Sequence, residues 1–185
     1  MNYYKEIKNK LMDNEVYEKV KDYSKERHRI ITYFEIGKLL SEAGKNYGEN
    51  IIGEYSKKLV LEVGKKYNKR TLFRMKQFYN VFSDKKVSPL VSQLSWSHCL
   101  ILLTIKNINE IYYYSQQVKE KGLSKRQLEI IVKNKEYDRL EENAKNKLIG
   151  NDSLNIKELV PNPILIKNKN NLEIINEKIL HQLIL

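Results

Sequence analysis

The first proline of this chain is Pro89, and only seven glycines and three prolines occur in 185 residues. A long opening stretch without a hard breaker constrains the backbone towards helix, because proline and glycine are the residues that most often end one. Apolar residues recur at helix spacing over 15–43, at Val16, Val20, Tyr23, Ile30, Tyr33, Phe34, Ile36 and Leu40. Gly37 inside that pattern predicts close helix packing. Gly44 and Gly48 are read as bracketing a turn, with Asn46 suited to it. The next helix is expected from about Gly53 to Lys65, with Tyr55, Leu59, Val60 and Val63 inward, and a break at 66–68. Another follows from Lys69 to about Ser83, with Asn68 as its N-cap. Residues 84–89 are read as a loop.

Ser95 can cap the next helix, which carries Trp96, Leu100, Leu102, Leu103 and Ile105. A helix over 108–121 should stop at Gly122, a residue type that accepts the left-handed conformation after a helix end. Ser124 and Gln127 have the spacing of a capping box. The helix they open is expected to continue, straight or kinked, to about Leu148. Composition then shifts. Residues 149–171 contain Pro161, Pro163 and several asparagines, and read as a linker with one short strand near Ile164–Ile166. The last segment, 172–185, has a helical pattern that stops while still apolar. No repeat at a solenoid period occurs. The fold class expected is therefore all-α, a multi-helix domain with a helix-turn-helix-like DNA-binding core.

That last phrase rests on charge. The formal net charge is +11, and residues 56–86 hold ten cations against only Glu62 and Asp84, so this one segment supplies +8 of it. Clustering of this kind points to a polyanion more strongly than an evenly Lys-rich composition would. On the helix that starts at Lys69, the spacing puts Leu72, Met75, Tyr79 and Phe82 on one face and Arg70, Arg74 and Gln77 on the other, flanked by Thr71. In a helix-turn-helix the second helix enters the major groove, where Arg suits guanine and Gln suits adenine. Lys57, Lys58, Lys65 and Lys66 would sit where phosphates can be held, and Lys69 is counted with the DNA-binding residues. The plainer reading of the same residues is a solvated helix face, since Arg and Gln are good helix formers at a surface.

Several words in the chain resemble one family. They are Tyr33-Phe34-Glu35-Ile36-Gly37, Tyr47-Gly48 and Tyr55-Ser56-Lys57-Lys58-Leu59, then Leu72-Phe73-Arg74-Met75-Lys76-Gln77-Phe78-Tyr79, Gln93-Leu94-Ser95-Trp96-Ser97-His98 and Ser124-Lys125-Arg126-Gln127-Leu128. In order and spacing over about 15–140 they are similar to the N-terminal domain of the YhcG-type proteins, a domain-of-unknown-function family. Phe34 and Leu123 stand where that family has Trp. The resemblance implies a helical DNA-binding domain over 1–148, the linker over 149–171, and over 172–185 the start of a PD-(D/E)XK nuclease domain, with Glu177 in its first helix. The metal-binding Asp and the Glu-x-Lys of such nucleases would lie beyond Leu185. Since acidic residues hold the divalent metal in such cleavage, no catalytic site, metal or cofactor is expected in this chain.

The remaining reactive residues have bland explanations. His28, His98 and His181 lack the i, i+4 spacing of zinc ligands. His98 is expected to anchor the helix start beside Trp96. Cys99 is the one cysteine, so no intrachain disulfide can form, and it reads as a small buried apolar residue. Of Tyr112, Tyr113 and Tyr114, packing with one ring exposed is expected. The amino-terminal residues lack the apolar core of a signal peptide, and no apolar run is long enough to span a membrane. A cytoplasmic setting is expected, with duplex DNA as partner in restriction-type or mobile-element DNA processing. A homo-oligomer or a larger nuclease assembly is a further expected association. The rival function is a docking domain that joins such an assembly. A free-standing enzyme has little support.

Overall fold

In a computed structural model, residues 2–19 and 24–150 are described, and all regular structure among them is helical. The linker and the start of a nuclease domain, with Glu177 and His181, lie outside the described residues. Eight α-helices follow in order: α1 Tyr3–Lys19, α2 Ser24–Tyr47, α3 Asn50–Glu62, α4 Lys69–Phe82, α5 Trp96–Leu102, α6 Ile108–Lys121, α7 Lys125–Lys133 and α8 Glu142–Gly150. Short 3-10 turns occur at Lys65–Tyr67, Ser88–Gln93 and Tyr137–Arg139.

Local chemistry sets many of these boundaries. The Asn68 side chain accepts from Thr71 N at 3.1 Å and starts α4. Ser95 Oγ accepts from His98 N while His98 Nδ1 accepts from Ser95 N, both at 3.2 Å, so His98 anchors the start of α5. Ser124 and Gln127 make the same reciprocal pair at α7. Gly122 ends α6 with φ at +60°, in the left-handed region.

Other boundaries differ from expectation. Helix α1 begins at Tyr3, well before the apolar pattern of 15–43, and buries Tyr3, Ile7, Leu11 and Asn14. That stripe is narrow, and one of its four members is polar, so its periodicity is faint in the sequence. Gly44 lies within α2, not in a turn. A Cβ there would sit 3.2 Å from Glu49 Oε1 and 3.6 Å from Lys76 Nζ, two groups that form an ion pair across it. The turn falls at Gly48, where φ is +83°. Helix α3 begins three residues earlier than expected. The 84–89 loop leads into a 3-10 turn, and the α7 segment breaks at Asn134, followed by Lys135 at φ +51°, before α8.

The core is organised by α2, which packs along α4 and against α1, α3 and α5. Ile36, Leu40, Leu72, Met75, Phe78 and Leu102 are fully buried there. On α4 the sealed aromatic positions are Phe78 and Phe82, whereas Tyr79 is half-buried against Phe34. Phe78 was missed by the sequence reading because it lies at the edge of the predicted apolar face. Tyr113 and Tyr114 are buried and Tyr112 half-buried.

Candidate nucleic-acid interface

The charged segment folds as α3, a turn and α4. On α3, Ile52, Ser56 and Leu59 face the core, which leaves Lys57, Lys58 and Leu61 exposed. The turn is anchored from within. Tyr67 is fully buried, its hydroxyl donates to Glu15, and its carbonyl accepts from Ser56 Oγ at 3.5 Å. Next to it, Lys66 Nζ lies 2.6 Å from Glu15 and 2.7 Å from Glu18.

Those contacts belong to a network that joins α1, α2, the turn and α5. Glu18 also receives Arg29 at 2.9 Å and the Asn14 amide at 3.0 Å, Arg29 reaches Glu26 at 2.7 Å, and Glu26 accepts from the Trp96 backbone N–H at 2.7 Å. Burial pushes the Glu18 carboxyl up, but the hydrogen bonds from Lys66 and Arg29 and the charge of Arg29 outweigh it and hold the group below its usual range. Burial likewise opposes the Lys66 charge, and Glu15 and Glu18 more than restore it. Lys66 is thus part of the scaffold of the turn.

At the start of α4, Arg70 is exposed and Lys69 Nζ lies 5.8 Å from the Phe73 ring centre. Thr71 completes the Asn68 cap. Arg74 is half-buried at the edge of the face and has no ion-pair partner among the described residues. The same holds for Lys57, Lys65 and Arg70. Gln77 is committed elsewhere: its Nε2 donates to Leu103 O at 2.9 Å and ties α4 to the end of α5. Of the nine predicted contact residues, Lys57, Lys65, Lys69, Arg70, Thr71 and Arg74 flank the turn and the first half of α4. Lys58 turns towards α1, over the Tyr4 ring at 5.4 Å.

The nearby acids are largely spent on other cations. Glu62 takes Lys8 at 2.8 Å and the Tyr4 hydroxyl at 2.7 Å, and those bonds hold its carboxyl below the usual range. Glu49 is paired with Lys76. Glu62 also feels the charge of Lys58, but neither acid forms an ion pair with Lys57, Lys65, Arg70 or Arg74.

Residues 8–139 match the DUF1016 N-terminal domain. The chain belongs to that family. The match is consistent with the YhcG-type resemblance and runs from α1 through the 3-10 turn at Tyr137–Arg139, so the DUF1016 domain contains the whole charged segment and the network that anchors it. No curated protein and no solved structure matches the chain. No described helix is long and apolar enough to cross a membrane. Among the described residues no group of three or more His, Cys, Asp or Glu side chains is placed to hold a metal ion.

The sequence reading did not find Glu15 and Glu18, which lie about fifty residues before the lysine they hold. Their three-residue spacing on α1 was a signal only that they share a face.

Proposed function

We propose that this DUF1016 domain binds duplex DNA through the exposed face of α3, the turn and α4, in helix-turn-helix manner, and that the chain does not itself cut DNA. The observation that carries the reading is a set of cations without acidic partners among the described residues, the exposed Lys57, Lys65 and Arg70 and the half-buried Arg74, on a turn fixed from behind by Tyr67 and Lys66. Free cations held at defined positions neutralise phosphates and release counterions, which is the main source of affinity for duplex DNA. Arg70 and Thr71 stand on the first turn of α4, where a recognition helix meets base edges. Gln77 is left out of the contact set, since base reading would require it to give up the Leu103 carbonyl.

Arg70→Ala tests the reading, because an exposed side chain without partners can be removed with little effect on the fold. If Arg70 reads a base, the loss will be roughly 1–3 kcal/mol on a preferred sequence and smaller elsewhere. If it holds phosphate, affinity will fall evenly and the salt slope will drop by about one ion. The measurement is fluorescence anisotropy on short duplexes across a salt series, with Lys121→Ala, a cation at the far end of α6, as control. Equal and negligible effects of both substitutions, with both proteins folded, would remove α4 from DNA binding.

The rival is a protein-docking face, and Leu61, 87% exposed among these cations, is the observation in its favour. Binding to a protein partner that resists salt while duplex affinity is absent would establish it. On catalysis the expected result is simple. Purified chain incubated with supercoiled plasmid and Mg²⁺ or Mn²⁺ will leave it uncut, since metal-dependent cleavage needs clustered acids. Nicking that tracks the protein through successive purification steps would overturn this.

A further inference from the structure

At the other edge of α3 the ends of three helices meet around a pocket of about 440 Å³, lined by Asn2, Tyr3, Tyr47, Ile51 and Tyr55. Its size falls within the range of small-molecule clefts, roughly 300–1,000 Å³. Three of its five lining residues are tyrosines, each from a different helix: Tyr3 from α1, Tyr47 from α2 and Tyr55 from α3. Tyr47 is 61% exposed, so its ring is open to a ligand. The Tyr3 ring stands edge-on to it, with centres 6.2 Å apart and planes at 77°. Tyr3 is itself fixed, because its hydroxyl accepts from Asn46 Nδ2 at 2.9 Å. Tyr55 rests on Tyr4, with ring centres 5.4 Å apart. One helical turn further along the same side of α3 is Lys58, whose ammonium lies over Tyr4.

We propose that this pocket takes an unpaired nucleobase, stacked on Tyr47 and Tyr55, with the adjoining phosphate held by Lys58. The inference rests on the nucleic-acid reading above but not on α4. Open aromatic faces beside a cation are how single strands are held without regard to sequence, since every base has a π-face. An aromatic cage for an ammonium ligand is the other use of such rings. Here a cation would meet Lys58, one helical turn along α3 from the lining residue Tyr55, while Glu62, four residues beyond Lys58, is engaged by Lys8 and Tyr4. A nucleotide instead brings its negative charge to Lys58. Glu54, exposed and next to Tyr55 on α3, would repel a phosphate on its own side and so favours the Lys58 side.

The test uses the full chain and a short single-stranded oligonucleotide with one 2-aminopurine, whose fluorescence is quenched when it stacks. Wild-type protein will bind it with quenching. Tyr47→Ala will weaken binding about fivefold or more and remove the quench, by the usual cost of losing one stacked base. Tyr47→Trp will retain both. Lys58→Ala will weaken binding while keeping the quench. Blunt-duplex affinity will be unchanged by Tyr47→Ala, whereas Arg70→Ala will lower it and leave stacking intact. Tyr47 is exposed at a helix end, so thermal melts should show these variants folded. Wild-type affinity and quenching in Tyr47→Ala would overturn the inference and leave duplex binding standing. Displacement of the strand by tetramethylammonium, without any quench, would make the pocket an ammonium cage and overturn it as well.

Discussion

Gly37→Ala will destabilise the protein by about 3 kcal/mol or more, at the upper end of the usual cost of overpacking a core. In most helix interiors the same change stabilises, by about 1 kcal/mol, because alanine is the better helix former. The reversal comes from the crossing of α2 and α4. A Cβ at position 37 would lie 2.2 Å from Met75 O and 2.7 Å from Tyr79 Cβ. Neither atom can turn away, since one is backbone and the other is the first atom of its side chain. Truncating Tyr79 to Ala would not make room, because its Cβ remains. Only separation of the two helices relieves the clash, and that would loosen the packing around Ile36, Leu40, Leu72 and Met75. In a chain of this size the loss corresponds to a melting shift of about 10 °C, taking about 2–4 °C per kcal/mol. Urea unfolding and thermal melts check it. A Gly37→Ala protein as stable as wild type would mean that the helices do not approach this closely.

Phe78→Ala should cost about 3–5 kcal/mol, the range for deleting a buried aromatic ring. Phe78 is fully buried, and its ring centre lies 5.8 Å from that of Phe34, 5.1 Å from Phe82 and 5.4 Å from Trp96. It therefore joins α4 to α2 and α5 at once, and the cavity left behind opens among three rings. Trp96 is the sole tryptophan, so its emission reports the change directly. The expected result is a shifted emission spectrum in the folded protein together with a lower urea midpoint. Phe78→Leu, which keeps much of the volume, should lose less. A loss under about 1 kcal/mol for the alanine variant, well below the usual range, would contradict the packing described. Because Phe78 lies on the inner side of α4, the helix that carries Arg70, and Gly37 packs against that side from α2, both substitutions also bear on the proposed interface. Their effect on DNA affinity should follow the loss of folded protein, whereas Arg70→Ala should lower affinity with the fold intact.

Much of the fold was legible in the order of residues, and the legible parts share a cause. The starts of α4, α5 and α7 depend on Asn68, Ser95 and Ser124, each bonding within three residues of itself. The stop of α6 depends on the backbone freedom of Gly122 alone. Interactions this local are written in the sequence, as is the apolar spacing that makes a helix bury one face. The clustering of cations over 56–86 was equally plain. Gly37 belongs with these: a glycine inside an apolar helical pattern already marked a close approach, although the sequence did not say to what.

What the sequence did not determine was which of those charges are free. Lys66 and Arg70 are both single cations in the sequence, yet Lys66 is held by Glu15 and Glu18, from a helix whose polar, narrow stripe hid it, while Arg70 has no partner among the described residues. Gln77 looked like part of the reading face until folding brought the Leu103 carbonyl to within 2.9 Å of its amide. The tyrosine pocket has no sequence signature at all, because its rings come from three helices and share no spacing. Helices, caps and total charge follow from neighbours along the chain. The partners of a charge and the walls of a pocket follow from neighbours in space, and only the packing of α1 and α2 around α3 and α4 decided them.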